Sequence, residues 1–186
     1  MKHKLAYAAI LITIIALTLS STHRQSIAAD APKPPEPTVD QLQTQIKQLQ
    51  SLIPDQAAVM SHVGYHFSNL WFAIERENWP LADFYLGETR NNVKWAVRAK
   101  PIRKNSAGQE IDLAGIAQAV DNGPFTDLKK AIDAKQKETC EKIYDQALTN
   151  CYACHKASSK PYLRPQRPTQ PEAPIINFDP NATFPQ

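Results

Sequence analysis

The sequence predicts an all-α protein: an antiparallel four-helix bundle, with an extra N-terminal amphipathic helix in front and an extended, proline-rich C-terminal tail behind. Three observations predict it. Apolar residues recur at steps of three and four through most of residues 39–158, which is the period of a helix face. No alternation of strand type and useful length is present. The periodic stretches are joined by short connections, which force neighbouring helices to run antiparallel.

Residues 1–29 read as a secretory signal peptide. Lys2 and Lys4 make a basic start, residues 5–21 are an uncharged apolar run, and Ser26-Ile27-Ala28-Ala29 supplies small residues for cleavage. The alternative is an uncleaved anchor to the outer face of an inner membrane, since the run is only slightly short of a bilayer span. Residues 30–38 hold too many prolines for a helix or strand and form a linker. In residues 39–53, Leu42, Ile46, Leu49 and Ile53 make one apolar stripe among glutamines, an amphipathic docking helix.

Residues 54–158 are the expected bundle. Pro54-Asp55 starts its first helix, whose seam is Met60, Val63, Phe67, Leu70 and Ile74. Asn78 caps the second, with Pro80 in its first turn. Leu81, Phe84, Tyr85, Val93 and Trp95 to Val97 line that helix, and Pro101 ends it. Residues 101–110 read as a basic, glycine-containing loop. Residues 112–120 are helical in pattern, Asn122-Gly123-Pro124 interrupts them, and Thr126 is placed to cap the continuation. The last helix covers about residues 136–157, with Cys140, Tyr144, Ala147, Cys151 and Cys154 on one stripe. From residue 159 to 186 prolines recur every few positions, so this tail is extended.

Length and charge exclude some functions. At 186 residues there is room for one modest core. Removing Lys2, Lys4 and Arg24 with the leader leaves 18 of the 21 basic side chains against 18 acidic ones. The remainder is near neutral and lacks the concentrated basic face that nucleic acid requires.

The chemistry is concentrated in Cys151-Tyr152-Ala153-Cys154-His155, a C-x-x-C-H pattern that attaches c-type haem. Two thiols three apart project from one helix face, spaced to add to two vinyl groups of one porphyrin. The histidine that follows is carried under the ring, where a neutral imidazole binds iron. Zinc would want four ligands, and only one C-x-x-C and scattered histidines are present. A thioredoxin-like dithiol would want a βαβ setting, and a disulfide between Cys151 and Cys154 is poor geometry inside a helix. Cys140 lies roughly 16 Å before Cys151 by helical rise, so it reads as a buried small residue rather than the source of an intermolecular disulfide.

The second axial position has three candidate side chains on the first bundle helix. His66 flanks the Val63–Leu70 seam, Met60 offers a thioether, and His62 sits further from the expected level; an open iron is the alternative. His3 and His23 belong to the leader. Trp71, Phe72, Trp79, Tyr85 and Trp95 read as large core residues rather than an electron path. Lys156, Lys160, Arg164 and Arg167 follow the motif histidine, where they would pair with haem propionates, steer an acidic redox partner, or lie in a solvated tail.

The helical pattern with C-x-x-C-H on the final helix resembles class II c-type cytochromes, the cytochrome c′ group. It is closer still to a family of exported monohaem cytochromes, over about residues 58–181. The stretches that carry the likeness are His66-Phe67-Ser68-Asn69-Leu70-Trp71-Phe72-Ala73, Asn78-Trp79-Pro80-Leu81-Ala82-Asp83-Phe84-Tyr85-Leu86, Cys151 to Ala157, Pro161-Tyr162-Leu163-Arg164-Pro165 and Ile175-Ile176-Asn177-Phe178-Asp179-Pro180. The resemblance implies one covalent haem c on Cys151 and Cys154, His155 as iron ligand, and electron transfer with redox partner proteins in the periplasm. It marks His66 without giving it a role, and a homodimer follows by likeness only. Two departures from the class II layout are the glutamine-rich helix in front and the thirty or so residues beyond the motif.

Three functions compete. The first is an electron carrier, not an enzyme. The second is a five-coordinate haem protein that binds NO or CO. The third, a haem peroxidase, would need a distal acid–base pair, and His66 has no evident partner for it.

Overall fold

The computed structural model describes residues 36–172 and 176–183, and the chain divides into two compact units, Met1–Leu49 and Gln50–Gln186. The proposed leader, residues 1–29, lies outside the described residues. The described residues are mostly helical, with one very small sheet among them. No helix among the described residues is long and apolar enough to cross a membrane.

In the first unit, helix α1 (Val39–Ser51) begins with a reciprocal cap. The Gln41 amide N–H donates to Thr38 Oγ1 at 3.3 Å and the Thr38 N–H donates to Gln41 Oε1 at 2.8 Å, so each satisfies an amide the other would leave bare. Leu42, Ile46 and Leu49 form the expected stripe, and all are exposed.

The second unit holds the core. Helix α2 (Gln56–Glu75) starts at Asp55, whose carboxylate accepts from the Ala58 amide at 2.7 Å. It ends in a reversal where Asn78 N–H bonds the Ala73 carbonyl and Glu77 takes a left-handed φ of 54°. Asn78 then caps helix α3 (Trp79–Ala99), accepting from the Leu81 amide at 3.3 Å as the sequence predicts. Along α3 the buried side chains are Ala82, Tyr85, Leu86, Thr89 and Ala96. Phe84 and Trp95, read from sequence as lining residues, are instead 56% and 44% exposed. The apolar content of this helix exceeds the width of its buried face, which is set by the small residues Ala82, Thr89 and Ala96.

The segment read as a loop is a two-stranded antiparallel hairpin. Strands β1 (Ile102–Lys104) and β2 (Glu110–Asp112) pair in the register Ile102↔Asp112, Arg103↔Ile111, Lys104↔Glu110. Its turn is built by the Asn105 side chain, which accepts from the amides of Ala107 and Gln109 at 3.0 and 2.9 Å, and by Gly108 at φ 80°. Three-residue strands are too short to show alternation.

Asp112 caps helix α4 (Leu113–Val120) through the Gly115 amide at 2.9 Å. The Asn-Gly-Pro interruption is a π-helical turn, Asp121–Phe125, and helix α5 (Thr126–Asp133) continues from it. Thr126 is not a cap: its hydroxyl donates to the Asp121 carbonyl at 2.7 Å, across the π turn. Helix α6 (Lys137–Ala157) closes the set.

Polar contacts fix how the helices run. Gln56 Nε2 reaches the Ala96 carbonyl at 3.1 Å, so α2 and α3 are antiparallel. Lys137 Nζ donates to the Glu75 carbonyl at 2.8 Å and Tyr144 Oη to the Phe67 carbonyl at 2.9 Å, so α6 descends as α2 ascends. Between them lies one contiguous core that includes Leu70, Ile74, Leu86, Phe125, Leu128, Ile132, Cys140 and Tyr144. The Tyr144 ring stacks on Phe67 at 4.2 Å and leans on Trp71 at 5.1 Å. Cys140 is fully buried there, forms no disulfide, and burial pushes its thiol up to about 11.

Candidate haem-attachment site

The C-x-x-C-H segment occupies the last two turns of α6. Cys151 and Cys154 are three residues apart, so their side chains share a face with about 4.5 Å of rise between them. Both are half-buried free thiols. Burial, then the neighbouring Cys154, pushes the Cys151 thiol up to about 11; burial raises Cys154 as well, against a hydrogen bond with Ser158. Among the described residues no group of three or more His, Cys, Asp or Glu side chains could hold a metal ion. Two neutral thiols on one face suit covalent capture of a flat group.

His155 Nδ1 lies 2.8 Å from the Leu163 carbonyl oxygen. A carbonyl only accepts, so Nδ1 must carry the proton, and the lone pair is left on Nε2. That is the tautomer a haem ligand needs, held by the outer hydrogen bond that gives a ligating imidazole its direction and basicity.

The local fold explains how a carbonyl eight residues on reaches His155. Helix α6 stops at Ser158, and Ser159 takes a φ of 58°. Lys160 N–H bonds the His155 carbonyl at 2.8 Å and Ser159 N–H the Lys156 carbonyl at 3.0 Å, the paired bonds of a left-handed helix terminus. The chain turns back, and the Pro161 carbonyl accepts from Tyr152 Oη at 3.1 Å and Arg164 Nε at 3.2 Å. Leu163 is thereby set beside the imidazole. Ser159 is further tied to the hairpin tip, its Oγ accepting from the Ser106 amide at 2.9 Å.

Other elements meet at the same end. Arg103 of the hairpin donates to Gln56 Oε1 at 2.8 Å, joining β1 to the start of α2. Val59, Val63, Ala96, Leu113 and Ala117 are buried, yet none belongs to the contiguous core. An open groove of about 310 Å³ runs between α3 and α4, beside Val97, Ala114 and Ala117. The groove's remaining lining residues, Lys94, Arg98, Gln118, Asp121 and Asn122, are polar or charged.

The second axial candidates separate by register. Lys137 lies against Glu75 and Tyr144 against Phe67. Continuing that antiparallel pairing puts Met60 opposite Cys151, within about one turn of His155, and His66 opposite Asp145 and Gln146, roughly 14 Å along the axis from His155. Met60 is half-buried and His62 exposed. His66 packs toward α3, with ring centroids 5.2 Å from Tyr65 and 6.0 Å from Tyr85. Its Nδ1 and both amide atoms of nearby Asn69 are buried without a hydrogen-bond partner. Burial holds the His66 imidazole below its ordinary range, against the pull of Glu88.

Of the four cations beyond the motif, Lys156 sits over the Tyr152 ring at 4.9 Å. Arg167 is not solvated tail: it stacks on Trp71 at 4.4 Å and grips Asp145. Sequence reasoning missed this clamp and the Leu163 carbonyl. The only signal for either was the proline spacing around them. No family model, curated protein or solved structure matches the chain.

Proposed function

We propose that this chain is an exported c-type cytochrome that carries one haem c on Cys151 and Cys154, with His155 as iron ligand, and passes single electrons between periplasmic redox partners. The observation that carries the reading is the His155 Nδ1–Leu163 hydrogen bond, which leaves Nε2 free beside two neutral thiols on one helix face. A bound haem supplies one-electron exchange at its iron. The residues of the chain do the rest. Leu163 holds the Nδ1 proton, Cys151 and Cys154 hold the ring edge, and Val59, Val63 and Ala96 exclude water. The finer fold we infer is an antiparallel four-helix bundle of α2, α3, α4 with α5, and α6. The antiparallel contacts of α2 with α3 and with α6 support it.

For the sixth position we favour Met60, which shares the level of the motif, over His66, which does not. Export and electron transfer rest on the leader-like residues and on the family resemblance. The test is expression of the full chain with haem-maturation machinery. The purified protein should be red and heavier than its mature polypeptide by one haem; a colourless protein of polypeptide mass refutes the reading. Met60→Ala should convert a low-spin ferric spectrum to high-spin and open the ferrous form to carbon monoxide, while His66→Ala leaves both unchanged. A wild-type protein that already binds carbon monoxide readily would point to the gas-binding function instead.

A further inference from the structure

The geometry points to the C-terminal segment as a strap that keeps His155 Nδ1–H in its hydrogen bond to the Leu163 carbonyl, with Arg167 as the positioning residue that holds the strap in place. The inference rests on the haem reading for its functional consequence and on the hydrogen bonds alone for its structural part.

The strap is fixed at several points. At its start, the Pro161 carbonyl takes two hydrogen bonds and Leu163 N–H bonds the Lys160 carbonyl at 3.0 Å. Four residues past Leu163, Arg167 Nε and Nη2 meet the two carboxylate oxygens of Asp145 at 2.6 and 2.5 Å. The guanidinium lies over the Trp71 ring, which is only 5% exposed, and Nη2 also reaches the Glu141 carbonyl at 3.5 Å. At the far end of the molecule, Phe178 packs on Phe72 at 5.7 Å and its carbonyl accepts from Asn78 Nδ2 at 3.3 Å.

The segment between Leu163 and Arg167 is short and stiff. Pro165 lies inside it and Pro168 follows it. Each proline fixes its own φ and restricts the residue before it, so Arg164 and Arg167 are confined to extended backbone. With the chain this stiff, the position of Arg167 determines where the Leu163 carbonyl points. A planar, bidentate and stacked arginine is the side chain suited to such a lock, since its fork is geometrically specific as well as charged.

The consequence follows from outer-shell chemistry. A carbonyl accepting from Nδ1–H makes the imidazole a stronger donor at Nε2 and favours the more positive iron. Releasing the strap should weaken that bias, so the potential moves upward.

The experiment compares full-length wild type, Arg167→Ala, Arg167→Lys and Asp145→Asn as isolated. Two properties are read: the hydrogen bond of His155 Nδ1–H, by its exchange with solvent in proton–nitrogen-15 NMR, and the haem midpoint potential. Arg167→Ala should speed that exchange about tenfold and raise the potential, with the ferric-to-ferrous ratio at a fixed ambient potential also falling about tenfold. Arg167→Lys, which keeps the charge without the fork, should recover part of both. Asp145→Asn loosens the same lock from the helix side and decides the matter if Arg167→Ala does not fold. Unchanged exchange at Nδ1–H in Arg167→Ala or Asp145→Asn overturns the strap. Protein that takes up no haem refutes the cytochrome reading, while the Nδ1–H exchange still decides the strap.

Discussion

The two ends of the α2–α6 pair are built on different principles. At the end that holds Glu75 and Lys137, stability comes from contiguous packing: Leu70, Ile74, Leu128 and Ile132 are fully or almost fully buried against one another. At the motif end the buried residues Val59, Val63, Ala96, Leu113 and Ala117 stand outside that core. There the elements are joined by polar clasps: Gln56 to Ala96, Arg103 to Gln56, Ser106 to Ser159. One end is held together by packing, the other by hydrogen bonds between neighbouring elements.

The largest test of that contrast sets a core truncation against a clasp truncation. Leu128→Ala removes a side chain with no exposed surface and should cost about 3 kcal/mol, because the surrounding ring and helix atoms cannot close the cavity. Arg103→Ala removes a single part-buried hydrogen bond to Gln56 and should cost about 1 kcal/mol or less. Denaturant melts of the two variants check this. A clasp variant as damaging as the core variant would mean the motif end contributes to folding in its own right.

Asp121 sits between the two regimes, where the π turn meets α3. Its carboxylate is 2.6 Å from Arg90 Nε and 3.1 Å from Lys94 Nζ, and its side chain is 16% exposed. Burial alone would raise its pKa, but the hydrogen bonds and charges of Arg90 and Lys94 outweigh it and hold the carboxyl below its ordinary range. The folded pKa is thus depressed. The stabilisation is complete above the ordinary carboxylate range, roughly pH 4 to 5, and is lost as pH falls through the lower folded value. Asp121→Asn should cost about 2 kcal/mol at pH 7, with the gap to wild type narrowing below about pH 4 in parallel unfolding titrations.

Tyr144→Phe tests the packed end more gently. The hydroxyl donates to the Phe67 carbonyl at 2.9 Å inside the core, and burial keeps it far above the ordinary tyrosine range. The ring stack on Phe67 survives the change, so the loss should be about 1 kcal/mol, read by thermal or denaturant melting.

The sequence exposes these two ends unequally. Helix limits at the packed end were legible because each has a local cause: Asp55 and Asn78 as caps, Asn122-Gly123-Pro124 as an interruption, seams at steps of three and four. The C-x-x-C-H motif was legible for the same reason, all its chemistry lying within five residues. What sequence could not reach were relations across distance. Choosing between Met60 and His66 needs the register of α2 against α6, where a slip of one or two turns exchanges one for the other. The hairpin is held by the turn at Asn105, not by strand pattern, and the Arg167 grip joins residues 22 positions apart. A proline-rich tail carries no period that would announce a strap.

The smallest effects compare the helix ends themselves. Among the described residues three helices terminate with a side-chain-bearing residue in the left-handed region: Glu77 and Lys135 at φ 54°, and Ser159 at φ 58°. The first two are exposed and belong to the packed end. Glycine relieves the contact between Cβ and backbone there, less the entropy it adds to the unfolded chain. Glu77→Gly and Lys135→Gly should each stabilise by about 0.5 kcal/mol. Ser159→Gly gains the same relief but loses the hydroxyl that accepts from the Ser106 amide and meets the Ser106 hydroxyl at 2.9 Å. Its net effect should be near zero or destabilising, although the backbone geometry is almost the same. Melting temperatures of the three variants measure the difference, and an equal gain at all three sites would show that the hairpin clasp holds nothing.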